Sequence, residues 1–272
     1  MRLGRIGIWR LHRHGTDAVA EIEALGYPAL WLGGSPSLAQ VGSFLERSST
    51  LTVATGILNI WRHEPADVAA GHAQLTHAFR GRFLLGLGVG HPEATSDYAK
   101  PLTKMREFLD GLDAAEPPVP PQERIVAALG PKMLDLAARR SLGTHPYFTT
   151  PEHTRFARER VGPDAVVAPE LAVVLEPDEE AAREQARAYA AGYLGRRNYT
   201  TNLLRFGFTE RDIADGGSDR LIDALIPHGS AEQVAEAVHC HLDAGADHVC
   251  LQPLGHAAAP LDDYRALAKL LL

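Results

Sequence analysis

The sequence predicts a single (β/α)8 TIM barrel spanning residues 1–272, and three observations carry that reading. The chain has 272 residues, close to the roughly 250 that eight β/α repeats need to close. Short apolar runs rich in strand-forming residues alternate with amphipathic stretches from one end to the other. A weak repeat punctuates them: EIEALGYPALWL, AARRSLGTHPYF and HLDAGADHVCL each end a helix at Gly26, Gly143 or Gly245 and then enter a strand. Glycine suits the left-handed position just past a helix end.

In chain order, strands are expected at 4–10, 27–33, 51–58, 82–88, 124–130, 143–149, 171–175 and 247–252. Helices are expected at 16–25, 36–48, 64–78, 101–112, 131–141, 151–160, 178–206 and 230–244, with a last one at 261–271. Asp17, Ser230 and the Pro-Asp-Glu-Glu run at 177–180 mark helix starts, because capping oxygens and acidic first turns satisfy exposed amides there. FLLGLGV and LAVVL are nearly unbroken apolar runs, as parallel strands covered on both faces require. Residues 113–123 hold four prolines and read as an extended connection. The segment 195–229 is longer than a crossover needs and reads as a helical insertion between the seventh and eighth strands, covering the barrel mouth. An open doubly wound sheet would want a glycine-rich fingerprint after the first strand, where WRLHRHG stands instead.

Composition narrows the function. Apolar residues make up 45% and charged residues 22% of the chain, enough for a large core and a soluble surface. A net charge of −7 with scattered Lys and Arg argues against a nucleic-acid partner. No apolar run approaches the roughly eighteen residues of a membrane span, and the N-terminus has no signal-peptide pattern, so no membrane partner and a cytoplasmic location are expected. Cys240 and Cys250 are the only cysteines and read as small buried apolar residues. Among thirteen histidines no ligand spacing paired with carboxylates occurs, so no metal is expected. His72 and His77 read as surface or lightly buried, and Trp31 as core.

A barrel of this kind carries its chemistry at the carboxyl ends of its strands. Those positions hold Arg10 and His12, Gly33 and Gly34, Gly56 to Trp61, Gly88 to His91, Gly130 to Lys132, Thr149 to Glu152, and Gln252. In GLGVGHP, Gly86, Gly88 and Gly90 either let a flat ligand approach the backbone or relieve crowding at a barrel corner. In ALGPKML, Gly130 and Pro131 open a helix beside Lys132; in YFTTPEH, Thr149 and Thr150 precede a second proline-started helix. Together they form a candidate phosphate seat, or two ordinary helix starts. Asn59 can bond a heterocycle edge or cap a turn.

The runs LGYPALWLGG, TVATGILNIW, GRFLLGLGVGHPE and ALGPKMLDLAA resemble the luciferase-like monooxygenase superfamily, most closely its F420-dependent oxidoreductases. KPLTKMREFLDGLD, HPYFTTPEHTRFARE, NYTTNLLRFGF and AGADHVCLQPL look like one subgroup of these enzymes, so the likeness spans nearly the whole chain. The resemblance implies that coenzyme F420 lies across the mouth, with FMN as the alternative cofactor and a homodimer as the assembly. It implies a non-prolyl cis peptide at Gly56–Ile57 backing the ring, and phosphate contacts from Gly130, Pro131, Thr149 and Thr150. His91 falls where sugar-phosphate-oxidising relatives carry a catalytic glutamate, and is the candidate proton-transfer residue, with His12 and His63 in reserve. Two departures matter: Gly33-Gly34 stand where relatives place an acid or histidine, and Pro151-Glu152-His153 replace a phosphate-holding lysine. A sugar phosphate is therefore not the expected substrate. The expected activity is hydride transfer between F420 and a small organic molecule; an FMN monooxygenase and a non-catalytic flavin or deazaflavin carrier are the alternatives.

Overall fold

The computed structural model describes residues 3–92, 98–255 and 260–272. Its first half runs β1 (Ile6–Leu11), α1 (Val19–Ala24), β2 (Ala29–Gly33), α2 (Leu38–Glu46), β3 (Thr52–Thr55), β4 (Leu58–Asn59), α3 (Pro65–Ala78), β5 (Phe83–Gly88) and α4 (Pro101–Ala114). There follow β6 (Arg124–Val126), α5 (Pro131–Arg140), β7 (Gly143–Thr144), α6 (Pro151–Val161), β8 (Val166–Val167) and β9 (Glu170–Val173). Five helices then precede the last strand: α7 (Glu179–Leu194), α8 (Arg197–Arg205), α9 (Glu210–Ile213), α10 (Asp219–Leu225) and α11 (Ala231–Asp243). The chain ends with β10 (Val249–Pro253) and α12 (Leu261–Leu271).

The strands form one parallel sheet in the order β8-β7-β6-β5-β3-β2-β1-β10-β9, with β4 also pairing β5. The two ends of that path are consecutive pieces of chain, separated only by Ala168 and Pro169. Ala168 donates its N–H to Thr144 O and Pro169 O accepts from Cys250 N–H, each at 2.9 Å, so the sheet curls back toward its own start. Proline has no N–H to give, which is why the strand is interrupted at this point.

The two faces of the curl have different cores. Ile8, Leu30, Val53, Leu85 and Leu251 point outward into the main apolar cluster beneath the helices. Their alternating neighbours Trp9, Trp31, Ala54, Leu84, Ile125 and Cys250 point inward. Trp31 stacks on His145 at 4.3 Å and donates its indole N–H to His248 Nε2 at 3.0 Å. A separate cluster joins α7, α8 and α10 to Phe148 through Ala186, Leu203, Leu221 and Ile222. Segment 195–229 therefore packs as helices against the strand ends.

Several expectations need correction. The strand expected at 51–58 divides into β3 and β4 at a cis Gly56–Ile57 peptide, the bond the resemblance implied. The helix expected over 178–206 breaks after Leu194, because Arg196 leaves helical geometry at φ −105°, ψ 119°. The strand at 143–149 pairs only over Gly143–Thr144, and Phe148 turns away at φ 57°. β8 is absent from the expected strands, since Pro169 breaks the apolar run. Cys240 is exposed rather than buried. His72 is only 2% exposed, packed against Phe83 under α3. No helix among the described residues is long and apolar enough to cross a membrane.

Gly86 shows which glycine is structural. Thr55 Oγ1 donates to Gly86 O at 2.7 Å and accepts Gly86 N–H at 2.8 Å. A Cβ on Gly86 would stand 1.8 Å from Thr55 O, where backbone cannot move aside. Gly86→Ala is expected to destabilise the fold by about 3 kcal/mol and lower Tm by about 10 °C. An unchanged melting curve would show that the two strands separate freely there.

Candidate active site

A cavity of about 480 Å³ opens at the carboxyl ends of the strands, a size in the range of small-molecule sites. Its floor is laid by Gly56, Ile57 and Asn59 after β3 and by Gly88, Val89, Gly90 and His91 after β5. Gly130 and Met133 enter from the start of α5, and His145 and Tyr147 from the loop after β7. Tyr193, Arg196, Asn198 and Tyr199 close the remaining side from the end of α7 and the start of α8.

Two of the lining glycines leave room for neighbouring side chains. A Cβ at Gly56 would lie 2.6 Å from the Trp9 indole nitrogen, and one at Gly88 would lie 2.6 Å from Ile57 Cγ1. The space a side chain would take at these two positions is already filled by Trp9 and Ile57, both of which line the cavity. Just behind Gly56, Trp9 Nε1 and His145 Nε2 are both buried without a hydrogen-bond partner. His145 Nδ1 lies 2.7 Å from Ala168 O, so it carries the proton, and burial holds the ring down to about pKa 4.

Asn59 accepts Trp61 N–H at 3.1 Å and is itself held by Ser35 Oγ, which accepts Asn59 N–H at 3.0 Å. It caps a turn and also lines the cavity. His91 is half-buried, with Nδ1 3.3 Å from Asn198 Oδ1 and its ring 5.3 Å from Tyr199. His12 and His63 do not line the cavity; His12 Nδ1 is engaged by Gly33 O at 2.8 Å.

The second group of candidates is only partly joined to this cavity. Gly130 lines it; Pro131, Lys132, Thr149 and Thr150 do not. Pro131 opens α5, Lys132 is exposed, and Thr149 and Thr150 are 1% and 3% exposed at the start of α6. The two helices pack together, and His153 ties their starts, with Nε2 3.0 Å from Leu129 O. Thr149 Oγ1 is buried without a hydrogen-bond partner. Thr150 Oγ1 is likewise buried without a hydrogen-bond partner, and its nearness is the chief influence that lowers the Glu152 carboxyl below its ordinary range.

Sequence reasoning missed the aromatic wall. Trp9, Tyr147, Tyr193 and Tyr199 line the cavity, yet only Trp9 and Tyr147 sit in expected strands. Both occupy inward positions of a period-two pattern, a signal that the sequence carries. Tyr193 and Tyr199 depend on the break after α7, and no local pattern announces it.

The family description "Luciferase-like monooxygenase" matches residues 11–248 of this chain. Among curated proteins, a 4-hydroxyprotoasukamycin monooxygenase of Streptomyces nodosus subsp. asukaensis is 33% identical over 95 residues, 31% of this chain and 24% of that protein. An F420-dependent glucose-6-phosphate dehydrogenase of Segniliparus rotundus is 33% identical over 99 residues, 35% of this chain and 29% of that protein. The matched stretch thus spans less than a third of either curated relative. Among solved structures, an F420-dependent secondary alcohol dehydrogenase with an F420-acetone adduct superposes with TM-score 0.76 at 15% identity, covering 99% of this chain and 98% of that one. A Baeyer-Villiger monooxygenase from Pseudomonas putida in complex with FMN gives TM-score 0.70 at 15% identity, covering 97% and 96%.

Proposed function

The chain belongs to the luciferase-like monooxygenase family, and from that membership we propose that it is an F420-dependent oxidoreductase acting on a small organic molecule. The observation that carries this reading is the strand-end cavity of about 480 Å³ lined by Gly56, Gly88 and Gly90, with Thr149 Oγ1 left unbonded beside two helix starts. A planar heterocycle fits the first and an anionic group the second. On this reading the curled sheet is a single (β/α)8 barrel, with 195–229 as the cover of its mouth.

A deazaflavin, when bound, supplies or accepts a hydride, so the protein's task is orientation and exclusion of water. Gly56, Ile57, Asn59, Gly88 and Gly90 would seat the ring; Gly130, Pro131, Lys132, Thr149 and Thr150 would hold the phosphate. His91 would give or take the proton at the substrate's heteroatom. Fluorescence titration of the protein with F420 and with FMN tests the proposal. Preference for F420 supports it. Preference for FMN, the cofactor of one solved neighbour, favours an oxygen-using reaction, and F420 bound without any turnover favours a carrier.

Thr150→Glu tests the anion seat. A second carboxylate beside Glu152 sets like charge against phosphate, and the expected result is at least a tenfold rise in the F420 Kd, measured below the variant's melting temperature, which a carboxylate at a position only 3% exposed lowers. Unaltered affinity would move the phosphate elsewhere.

A further inference from the structure

The cavity carries positive charge that nothing inside it answers. In a chain of net charge −7, its lining holds Arg62 and Arg196 and, among the described residues, no Asp or Glu. Arg62 is exposed, so water meets its charge. Arg196 is half-buried at the break between α7 and α8, where its N–H donates to Tyr193 O at 2.9 Å and its extended backbone starts the new helix. Its guanidinium lies 5.1 Å from the centre of the Tyr193 ring, and that ring is held in turn by a hydroxyl contact with Tyr147 at 3.1 Å. Among the described residues no ion pair or side-chain hydrogen bond occupies the guanidinium. Partly buried arginines elsewhere are answered within the fold. Arg140, Arg158, Arg183 and Arg187 each meet a carboxylate, and Arg82 donates to the carbonyl oxygens of Leu45, Ser48 and Leu51. Two residues beyond Arg196, Asn198 also lines the cavity and bonds His91. The wall formed by the start of α8 thus offers a cation that the protein itself leaves unmatched.

We infer that the substrate carries a carboxylate which Arg196 binds, on an apolar body that packs against Tyr193, Tyr199, Leu129 and Met133 of the same lining. This rests on the reading of the cavity as the site of a redox substrate, and names the class of that substrate. A guanidinium presents paired N–H donors that match the two oxygens of a carboxylate, and such charge-assisted bonds are about twice as strong as neutral ones. Selectivity follows from the same charge. A neutral molecule filling the cavity would strip water from Arg196 and return no acceptor, so the anchor rejects uncharged analogues as well as favouring acids. One guanidinium balances one carboxylate, whereas a phosphate dianion would bring a second charge into a wall of tyrosines and aliphatic side chains. Because Asn198 joins this wall to His91 at 3.3 Å, a short acid anchored at Arg196 has its remaining atoms on the side of the cavity where His91 stands. The carboxylates of the cofactor's own tail are the other source of this chemistry, and their claim on Arg196 is separable by titration.

Calorimetric titration of the protein, both cofactor-free and loaded with F420, tests the anchor with benzoate, benzamide and phenyl phosphate as probes. Benzoate is expected to bind about tenfold tighter than benzamide, or better. Arg196→Gln should erase that preference, raising the benzoate Kd about tenfold while the benzamide and F420 Kd values stay within a factor of about two. Arg196→Lys, which keeps the charge without the fork, should restore part of it. Equal affinity for benzoate and benzamide, no binding of benzoate, or a preference that survives Arg196→Gln overturns the proposal. Tighter binding of phenyl phosphate than of benzoate overturns the carboxylate. F420 is also compared with its riboside, which lacks the phosphate and the glutamate tail. If Arg196→Gln weakens F420 and leaves the riboside unaltered, the anchor belongs to the cofactor and the proposal falls. Failure of F420 to bind at all would instead sink the hydride-transfer reading, and the benzoate preference of the cofactor-free protein would still decide the anchor.

Discussion

Replacing His91 by glutamine is expected to cut turnover at least 100-fold while leaving F420 affinity within a factor of two or so, because general acid-base catalysis contributes on the order of 100-fold or more. His91 lines the cavity immediately after the strand-end glycines Gly88 and Gly90, so it stands at the edge of the floor on which the ring would lie. Imidazole titrates near neutral pH without the large change in acidity that a carboxylate needs. The Asn198 oxygen, 3.3 Å from Nδ1, orients the ring, and Tyr199 packs beside it at 5.3 Å. Glutamine keeps polarity and approximate size but neither gains nor loses a proton near neutral pH, which separates chemistry from binding. The comparison is steady-state turnover against a fluorescence titration of F420. Loss of affinity with turnover per bound cofactor intact would make His91 a cofactor contact, and the proton would come from another wall.

His91 can be found from sequence because a strand end is a local feature. The same holds for Gly56, Gly88 and Gly130, each of which stands at the cavity. Strand and helix order is legible for a related reason: apolar period and glycine stops are short-range signals, and β1, β2, β5 and β10 follow the expected runs to within two residues. What the sequence hides is long-range. The pairing of Tyr147 with Tyr189 crosses 42 residues and that of Tyr147 with Gln252 crosses 105, so neither leaves a motif. His153 looks like a departure from a relative's lysine, yet it links α6 to Leu129 and so sets the spacing of two helix starts. Glu170 escapes notice because a charge beside Pro169 reads as a loop, whereas the strand resumes there and buries it.

The largest stability effect expected is acid lability, and it arises from histidines far from the proposed chemistry. Burial lowers His72, His145, His153, His241 and His248 from 6.5 to about 4. Their folded values lie below the unfolded value, so between pH 6.5 and about 4 the unfolded chain binds protons that the folded chain refuses. Stability is thus full above pH 6.5 and is lost as pH falls through that window. His248 shows why the refusal is structural. Its Nδ1 lies 2.9 Å from Gly4 O and its Nε2 accepts the Trp31 indole N–H at 3.0 Å, so protonating Nε2 would set two N–H groups against each other. His72 is the weakest of the five, because Glu123 Oε2 at 3.4 Å would welcome its charge. Glu170 works in the opposite sense: its folded value near 8 exceeds that of an unfolded glutamate, so it favours the folded state as pH falls from 8 to 4.5. One group opposes five. At about 1.4 kcal/mol for each tenfold change in proton affinity, even a third of the summed histidine effect, about 5 kcal/mol, rivals the whole stability of an ordinary domain. Urea unfolding is therefore expected to show a midpoint that is steady from pH 8 to 7 and falls steeply by pH 5. A midpoint unchanged at pH 5 would mean that these imidazoles find partners for a second proton inside the fold.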